Sequence, residues 1–309
     1  MPDIDLGLAA VGLVVGLTVG LTGMGGGALM TPLLVLLFKV EPLAAVSSDL
    51  VASFVMKPVG GGVHLRRGTV NLRLVGWLCA GSIPSAFAGV LVLRGLGDEA
   101  EIQDILEVLL GAALLVASTT IVLKALLQGR QGEGTDGPLP VNHIAVRPLP
   151  TVAIGALGGL VVGMTSVGSG SLMIVLLLVL YPRLTTGRLV GTDLVQAVPL
   201  VGAASLGHLL FGDFRLAVAG SLLIGAVPGV YVGAQLSSRA ADHLVRPVLV
   251  VVLAASGLRL LGVPLEVVGA LLVVTAVVAI RVVLRRRRQA ARTGPAGDGT
   301  PSDRQLVGP

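Results

Sequence analysis

The residues that could do chemistry in this 309-residue chain are a few charged and polar side chains set inside long apolar runs. Lys57 lies in the run 44–65, about eight residues from its nearest end, where a buried charge costs at least about 2.5–3.5 kcal/mol. We expect such a lysine to face an anionic substrate or to pair with Asp49. The alternative is that its long side chain extends to the membrane interface.

Two aspartates and two histidines near the ends of apolar runs are candidates for ion coupling. Asp49 and Asp193 each follow a hydroxyl residue, in Ser-Ser-Asp and Gly-Thr-Asp. Each is either a helix cap that accepts backbone N–H groups or a buried acid that carries a coupling proton. His64 and His208 are either proton relays or hydrogen-bonded residues at helix interfaces. The sequence leaves these alternatives open.

Two breaks rich in glycine and serine could bind an oxyanion. A helix that begins at a break presents unpaired N–H groups and the positive end of its dipole. Gln196, about one turn after Asp193, is a further hydrogen-bond candidate. The alternative is that the small residues only let helices cross closely. The predicted substrate-binding residues at the breaks are Gly23, Gly25, Gly26, Gly27, Thr165, Ser166, Ser169 and Ser171.

The composition indicates that these residues are held in a membrane. The chain is 54% hydrophobic and 13% charged, with a mean hydropathy of +0.93, whereas soluble domains carry about 25% charged residues. The sequence therefore predicts an all-α polytopic membrane protein with about 8 to 11 membrane segments. Candidate segments lie at 8–24, 26–40, 44–65, 72–94, 103–126, 150–166, 168–181, 189–211, 215–237, 244–261 and 264–284.

Two pairs of these segments, 8–40 and 150–181, have members shorter than the roughly 20 residues of a full crossing. A glycine-rich break divides each pair, which predicts broken or re-entrant helices. Non-helical backbone at membrane depth persists only where protein or water surrounds it. Both breaks should therefore line the interior of the helix bundle.

The two breaks belong to an internal repeat. GLTGMGGGALM at 20–30 and GMTSVGSGSLM at 163–173 are identical at six of eleven positions. Further along, at an offset of 144, Asp49 matches Asp193 and His64 matches His208. With the topology below, this repeat predicts two halves of inverted orientation. Secondary transporters built in this way place their substrate sites near the midplane of the membrane.

Basic residues set the predicted orientation. With alternating crossings, seventeen of the 22 Lys and Arg residues fall on one side and four on the other. The richer side is predicted to be cytoplasmic, which puts the N-terminus outside and the C-terminus inside the cell (inner) membrane. The predicted organisation is an N-terminal repeat at 1–128, a cytoplasmic linker at 129–148, a C-terminal repeat at 149–263, an additional helix at 264–284 and a basic, disordered cytoplasmic tail at 285–309.

Several other classes of function are not expected. The basic residues lie at segment ends, and the tail arginines are expected to contact the anionic lipid bilayer, so no nucleic-acid partner is predicted. The single Cys79 excludes an internal disulfide and a cysteine metal cluster. No phosphate-binding loop or nucleophile elbow is present, so we expect no cofactor, no metal and no enzyme activity. The sequence makes no prediction of the oligomeric state.

The chain resembles the sulfite exporter (TauE/SafE) family of membrane permeases over about residues 10–262. The resemblance rests on GMGGGALMTPLLVLLF, AVSSDLVASFVMKPVGGGVHLRRGTV, TSVGSGSLM, VGTDLVQAVPLVGAASLGHLLFG and GSLLIGAVPGVYVGAQL. One difference is Asn71, where the loop motif G-x-V-D of relatives has Asp. The second half retains an acid there, Asp213, so a symmetric acidic pair is not expected.

This resemblance implies a permease for a small sulfur-containing anion such as sulfite or an organosulfonate. We therefore predict a secondary transporter that works by alternating access and is coupled to an ion gradient, with protons as a candidate coupling ion. One alternative is a passive anion channel. Another is an intramembrane enzyme that uses the two aspartates and two histidines around one pocket.

Overall fold

The computed structural model describes residues 5–22, 26–68, 70–97, 99–131, 146–182, 184, 186–236 and 242–271. Regular structure within these ranges is helical, as predicted. Residues 1–263 form one compact unit, and residues 264–309 form a second, in which 265–271 are helical. The helices of the first unit are α1 (Leu6–Thr22), α2 (Gly27–Phe38), α3 (Pro42–Arg66), α4 (Leu72–Arg94), α5 (Glu99–Gln131), α6 (Pro148–Thr165), α7 (Leu172–Leu180), α8 (Thr186–Phe211), α9 (Leu216–Leu236) and α10 (Asp242–Leu260).

These ten helices follow the first ten predicted segments closely. The main difference is α5, which begins four residues before the predicted segment 103–126 and continues to Gln131. Its polar ends are rich in Glu, Gln and Lys, which favour the helix although they lie outside the apolar run. Residues 132–145 of the predicted linker 129–148, the part of the additional helix beyond 271 and the tail at 285–309 lie outside the described residues.

The helices differ in whether they can cross a bilayer. Six are long and apolar enough to span a membrane: α3, α4, α5, α6, α8 and α9. In the second broken pair, α6 begins at Pro148 and has 18 residues, which is shorter than 20 as predicted, although its length and composition still make it a candidate span. Its partner α7 has 9 residues, or about 14 Å, and cannot cross a hydrocarbon core of about 30 Å. The second break therefore joins a candidate spanning helix to one that is too short to span.

Large apolar side chains remain exposed along these helices, which is the pattern expected of a surface in contact with lipid. Leu149 is 84% exposed and Val179 is 67% exposed. So many exposed large apolar side chains are unusual on a soluble monomer.

Glycines allow the closest helix crossings. Helix α1 packs along α9, and α6 packs along α4. A Cβ atom at Gly225 would collide with the carbonyl of Ala9, and one at Gly81 would collide with that of Val152. Gly81 and Gly225 are equivalent in the repeat, so these two glycines serve close crossing of helices rather than ligand binding.

The packing of the two halves is reciprocal. The first helix of each half packs on the fourth helix of the other half, while α3 packs on α8 and α5 on α10. Helix α3 is the most buried of the six candidate spanning helices, because 61% of its apolar 18-residue stretch lies inside the protein. The α3–α8 pair therefore brings the candidate residues of both halves to the centre of the bundle.

Candidate functional site

The two breaks meet in the interior. Gly27, the first residue of α2, lies so close to Ser166 that a Cβ atom would collide with the Ser166 carbonyl. Ser166 ends α6 in the left-handed region, with φ 58°, and Gly168 and Gly170 follow with φ of 115° and 94°. Glycine adopts such values without steric cost. The second break is thus an irregular, buried segment that packs against the start of α2.

The predicted residues of the first break are only partly described. Gly23 and Gly25 lie outside the described residues. Gly26 lies beside the methyl group of Met56 and the hydroxyl of Ser53, both on α3. Gly26 and Gly27 therefore bring the start of α2 close to α3 and to the second break.

Asp49 joins three elements through hydroxyl groups. Its side chain is fully buried and accepts hydrogen bonds from Thr31 Oγ1 of α2 at 2.7 Å, from Ser166 Oγ at 2.8 Å and from Ser53 Oγ at 3.3 Å. A carboxylate accepts several hydrogen bonds, and buried polar groups are normally satisfied in this way. Asp49 therefore fixes α2 and the end of α6 against α3.

The interpretation of the two aspartates as helix caps is wrong. Helix α3 begins at Pro42 and α8 begins at Thr186, so Asp49 and Asp193 lie in the third turn of each helix. Asp193 is 1% exposed. Short hydroxyl residues directly before an acid are typical of helix starts, but here Ser48 and Thr192 lie inside continuous helices.

Lys57 reaches from α3 into the second break. Its side chain is 5% exposed, and Nζ donates a hydrogen bond to Ser169 Oγ at 2.6 Å. The interface alternative is therefore wrong. Asp49 accepts its hydrogen bonds from hydroxyls rather than from Lys57, so the predicted direct ion pair is not formed, although Asp49 and Asp193 both interact with Lys57 electrostatically.

Three more predicted residues have different environments. Ser171, at the start of α7, is 6% exposed, and its Oγ has no hydrogen-bond partner in the described protein. Gln196 of α8 donates from Nε2 to Ser82 Oγ at 2.6 Å, while its buried Oε1 has no partner there. Buried polar atoms normally have a partner, so such atoms mark places where water or a ligand binds. The hydroxyl of Thr165 instead donates to a backbone carbonyl of the same helix, that of Val161, at 2.7 Å.

The two histidines differ although they are equivalent in the repeat. His208 is fully buried and donates from Nε2 to the Gly163 carbonyl at 2.8 Å, because a carbonyl can only accept. Its Nδ1 lies 2.8 Å from Ser47 Oγ, so His208 connects α8 with α6 and α3. His64 is half-buried in the last turns of α3. Of the two alternatives for the histidines, His208 therefore matches the hydrogen-bonded residue at a helix interface.

The aspartates and histidines do not surround one pocket. Asp49 and His64 lie fifteen residues apart on α3, and Asp193 and His208 are equally far apart on α8. A continuous helix rises about 1.5 Å per residue, which separates each pair by about 22 Å. The arrangement needed by the intramembrane enzyme alternative is therefore absent from these helices.

Sequence reasoning missed Thr31, Ser53 and Ser82, which are bonded to the predicted residues. A comparison of the halves carries a signal, because Ser53 and Ser82 match Ala197 and Ala226 at the offset of 144. Polar residues in one half that are apolar in the other indicate where the site departs from symmetry.

Asn71, the departure from the family motif, retains a structural role. Its Oδ1 accepts the N–H of Leu74 at 3.0 Å and caps α4, and its own N–H donates to Thr192 Oγ1 at 3.2 Å. Asp213, at the matching loop, pairs with Arg215 at 2.9 Å. Asparagine caps helices as well as aspartate does, so the substitution leaves the start of α4 intact.

Comparisons with known proteins agree with this architecture. Residues 8–260 match the family model for the sulfite exporter TauE/SafE. The chain is 35% identical over 263 residues to the Bacillus subtilis (strain 168) protein named probable membrane transporter protein YjnA, covering 83% of this chain and the whole of that protein. It is 23% identical over 247 residues to probable membrane transporter protein YdhB of the same organism, covering 80% and 96% of the two chains. No solved structure matches.

The family match and the apolar helices together identify a multi-pass membrane transporter, and the resemblance stated from the motifs is confirmed. The chain belongs to the sulfite exporter TauE/SafE family.

Proposed function

We propose that this transporter moves a small sulfur-containing anion, such as sulfite or an organosulfonate, as an ion-coupled secondary transporter. The observation that supports this most is the environment of Lys57. An ammonium group has three N–H donors, and in the described protein Lys57 uses one of them, on Ser169 Oγ. The other two N–H donors belong to a buried cation that lies beside an irregular backbone segment. Such a group is suited to binding an anionic ligand.

The proposed site lies where α7 begins. Ser169 and Ser171 offer hydroxyls, Gln196 offers a side chain from α8, and the first N–H groups of α7 add the positive end of a helix dipole. A sulfite or sulfonate group has three oxygens that must exchange water for fixed donors on entering the membrane. The combination of one cation, hydroxyls and backbone N–H groups provides such donors. Gly23, Gly25, Gly26 and Gly27 complete the proposed site from the side of the first break.

We propose that two acids near this site and two histidines farther along the same helices couple anion transport to proton movement. Asp49 and Asp193 interact with Lys57, so protonation of either acid changes the electrostatic field at the anion site. His64 and His208 are proposed as the more distant proton carriers along the same two helices. The proposed cycle is alternating access, in which protonation and anion binding favour the same change of conformation.

The proposed topology is two inverted repeats, 1–128 and 149–263, in the inner membrane with the N-terminus outside and the C-terminus cytoplasmic. The reciprocal packing of α1 on α9 and of α6 on α4 supports a two-fold relation between the halves. A broken helix in each half, with both breaks at the centre, is the arrangement that places a substrate site near the midplane.

The test is uptake of labelled sulfite and of a panel of small organosulfonates into proteoliposomes, with and without a pH gradient. We expect saturable uptake that the gradient drives and that Lys57→Ala abolishes. Flux that does not saturate and ignores the gradient would instead identify a passive channel. A folded wild-type protein that moves no member of the panel would overturn the substrate class.

A further inference from the structure

A cavity outside the second break has the properties of an anion site. It has a volume of about 430 Å³ and is lined by residues of α3, α4, α5 and α8 and by the loops that follow α4 and α8. Its lining includes Arg94, an exposed residue at the end of α4, and His208, which is fully buried. The cavity thus joins an exposed cation to a buried imidazole.

Arg94 is held in place by Phe211 but keeps most of its N–H donors free of protein partners among the described residues. Its guanidinium donates to the Phe211 carbonyl at 3.4 Å and lies 5.4 Å from the centroid of the Phe211 ring. Phe87 packs edge-on against this ring at 6.2 Å. A guanidinium has five N–H donors, so four are left for a ligand in the cavity. Fixing the arginine on an aromatic ring lowers the entropy lost when it binds an anion.

The carboxylates near the cavity do not neutralise Arg94. Asp213 also lines the cavity, but it pairs with Arg215, which contacts Glu41 as well. Glu101 lies against the glycine at the rim without lining the cavity. Among the described residues no carboxylate lies within ion-pair distance of Arg94, so its charge acts on the space in front of it.

His208, the buried residue of the cavity lining, connects the cavity with the proposed transport site. His208 bonds to Gly163, three residues before the break residue Ser166, and to Ser47, two residues before Asp49. Asp49 in turn accepts a hydrogen bond from Ser166. His208 therefore lines the cavity and also bonds the two helices that carry Asp49 and the second break.

We propose that this cavity is a vestibule that binds a small oxyanion, such as a sulfonate, at Arg94 before it reaches the break, with His208 as the floor between the two sites. The identity of this anion with the transported one rests on the proposed function, whereas anion binding at Arg94 does not. In the predicted orientation the vestibule opens to the outside.

The test measures anion attraction without measuring transport. In a Cys79→Ala background, Val90→Cys places a thiol in the wall of the cavity, since Val90 lines it and is 3% exposed. The purified full chain is treated with a methanethiosulfonate reagent that carries a sulfonate and, separately, with one that carries a quaternary ammonium. The ratio of the two modification rates reports the charge preference of the cavity.

We expect the sulfonate reagent to react faster, and Arg94→Gln to lower the rate ratio about five- to tenfold, because one charge acts over a short distance in a partly dry space. Arg94→Lys should keep the preference. Arg259→Gln is the matched control, an exposed arginine at the end of α10 that does not line the cavity, and it should change nothing.

An unmodified thiol at position 90 would overturn the proposal, and so would a ratio that falls equally in the two glutamine variants of a protein that remains monodisperse. Transport assays separate this result from the proposed function. Arg94→Gln should raise the KM for uptake about five- to tenfold with kcat retained, since capture and not the central site is changed. If the cavity prefers the anionic reagent but the protein transports no sulfur anion, anion binding at Arg94 would be supported and only the proposed substrate class would be rejected.

Discussion

Lys57 of the first half and Ser169 of the second half are joined by a hydrogen bond of 2.6 Å in the interior. The two residues lie 112 positions apart, and the bond ties a spanning helix to an irregular segment of the other half. At the repeat offsets Lys57 matches Val201, and Ser169 matches Gly26. The equivalent pair has no polar side chain, so the Lys57–Ser169 contact has no counterpart at the matching positions.

The first prediction concerns the charge of Lys57. Lys57→Met should lower uptake at least about a hundredfold, because the anion loses its buried counter-charge, a loss worth several kcal/mol. The apparent unfolding temperature should fall while the variant remains folded, because Asp49 and Asp193 lose the buried cation with which they interact. Proteoliposome uptake and thermal unfolding in detergent measure the two effects.

The matched control for Lys57 is the equivalent position of the other half. Val201→Ala changes a buried residue, 1% exposed, without touching a charge, and should leave the KM for uptake unaltered. Equal losses of uptake in the two variants would show that packing around the centre, and not the lysine charge, limits transport.

The second prediction separates two serines of the same break. Ser169→Ala leaves the Lys57 ammonium without its protein partner and should cost about 1–3 kcal/mol of stability as well as affinity for the anion. Ser171→Ala should not destabilise the protein, because its hydroxyl has no partner there to lose. It should still raise the KM if that hydroxyl binds substrate. A destabilised Ser171→Ala variant, or one with unchanged KM, would contradict the proposed role.

The third prediction concerns coupling. Asp49→Asn keeps one acceptor oxygen for three hydroxyl donors and cannot change its charge. We expect uptake that the pH gradient no longer accelerates, while exchange of labelled for unlabelled anion continues. Asp193→Asn, made at the equivalent position, shows whether one or both acids couple. Full gradient dependence in both single variants would remove these acids from the coupling mechanism.

The fold was largely predictable because its signal is local. Apolar runs of membrane length and glycine breaks lie in the sequence itself, and the ten helices follow them within a few residues. Helix ends rich in polar residues, as in α5, were less visible because hydrophobicity does not mark them.

The site was predictable in its residues but not in its partners. The burial cost of a lysine in lipid singled out Lys57, and repetition singled out Asp49 and Asp193. That Lys57 contacts Ser169 rather than Asp49 depends on how α3 crosses the second break, which is a relation between distant segments. The sequence of one segment does not contain this relation, and the polar differences between the repeats are the only local trace of it.

The last prediction concerns the contact between the breaks. A Cβ atom at Gly27 would collide with the carbonyl of Ser166, which is backbone and cannot rotate away. Gly27→Ala should therefore push α2 away from the second break, at a cost of about 1–3 kcal/mol, and should lower both uptake and the apparent unfolding temperature. Gly62→Ala is the matched control, since Gly62 is a glycine of α3 with no atom within 4 Å of an added Cβ. Alanine is favoured over glycine in a helix by about 1 kcal/mol, so this control should be neutral or stabilising. Wild-type stability and transport in Gly27→Ala would show that the breaks do not need to touch.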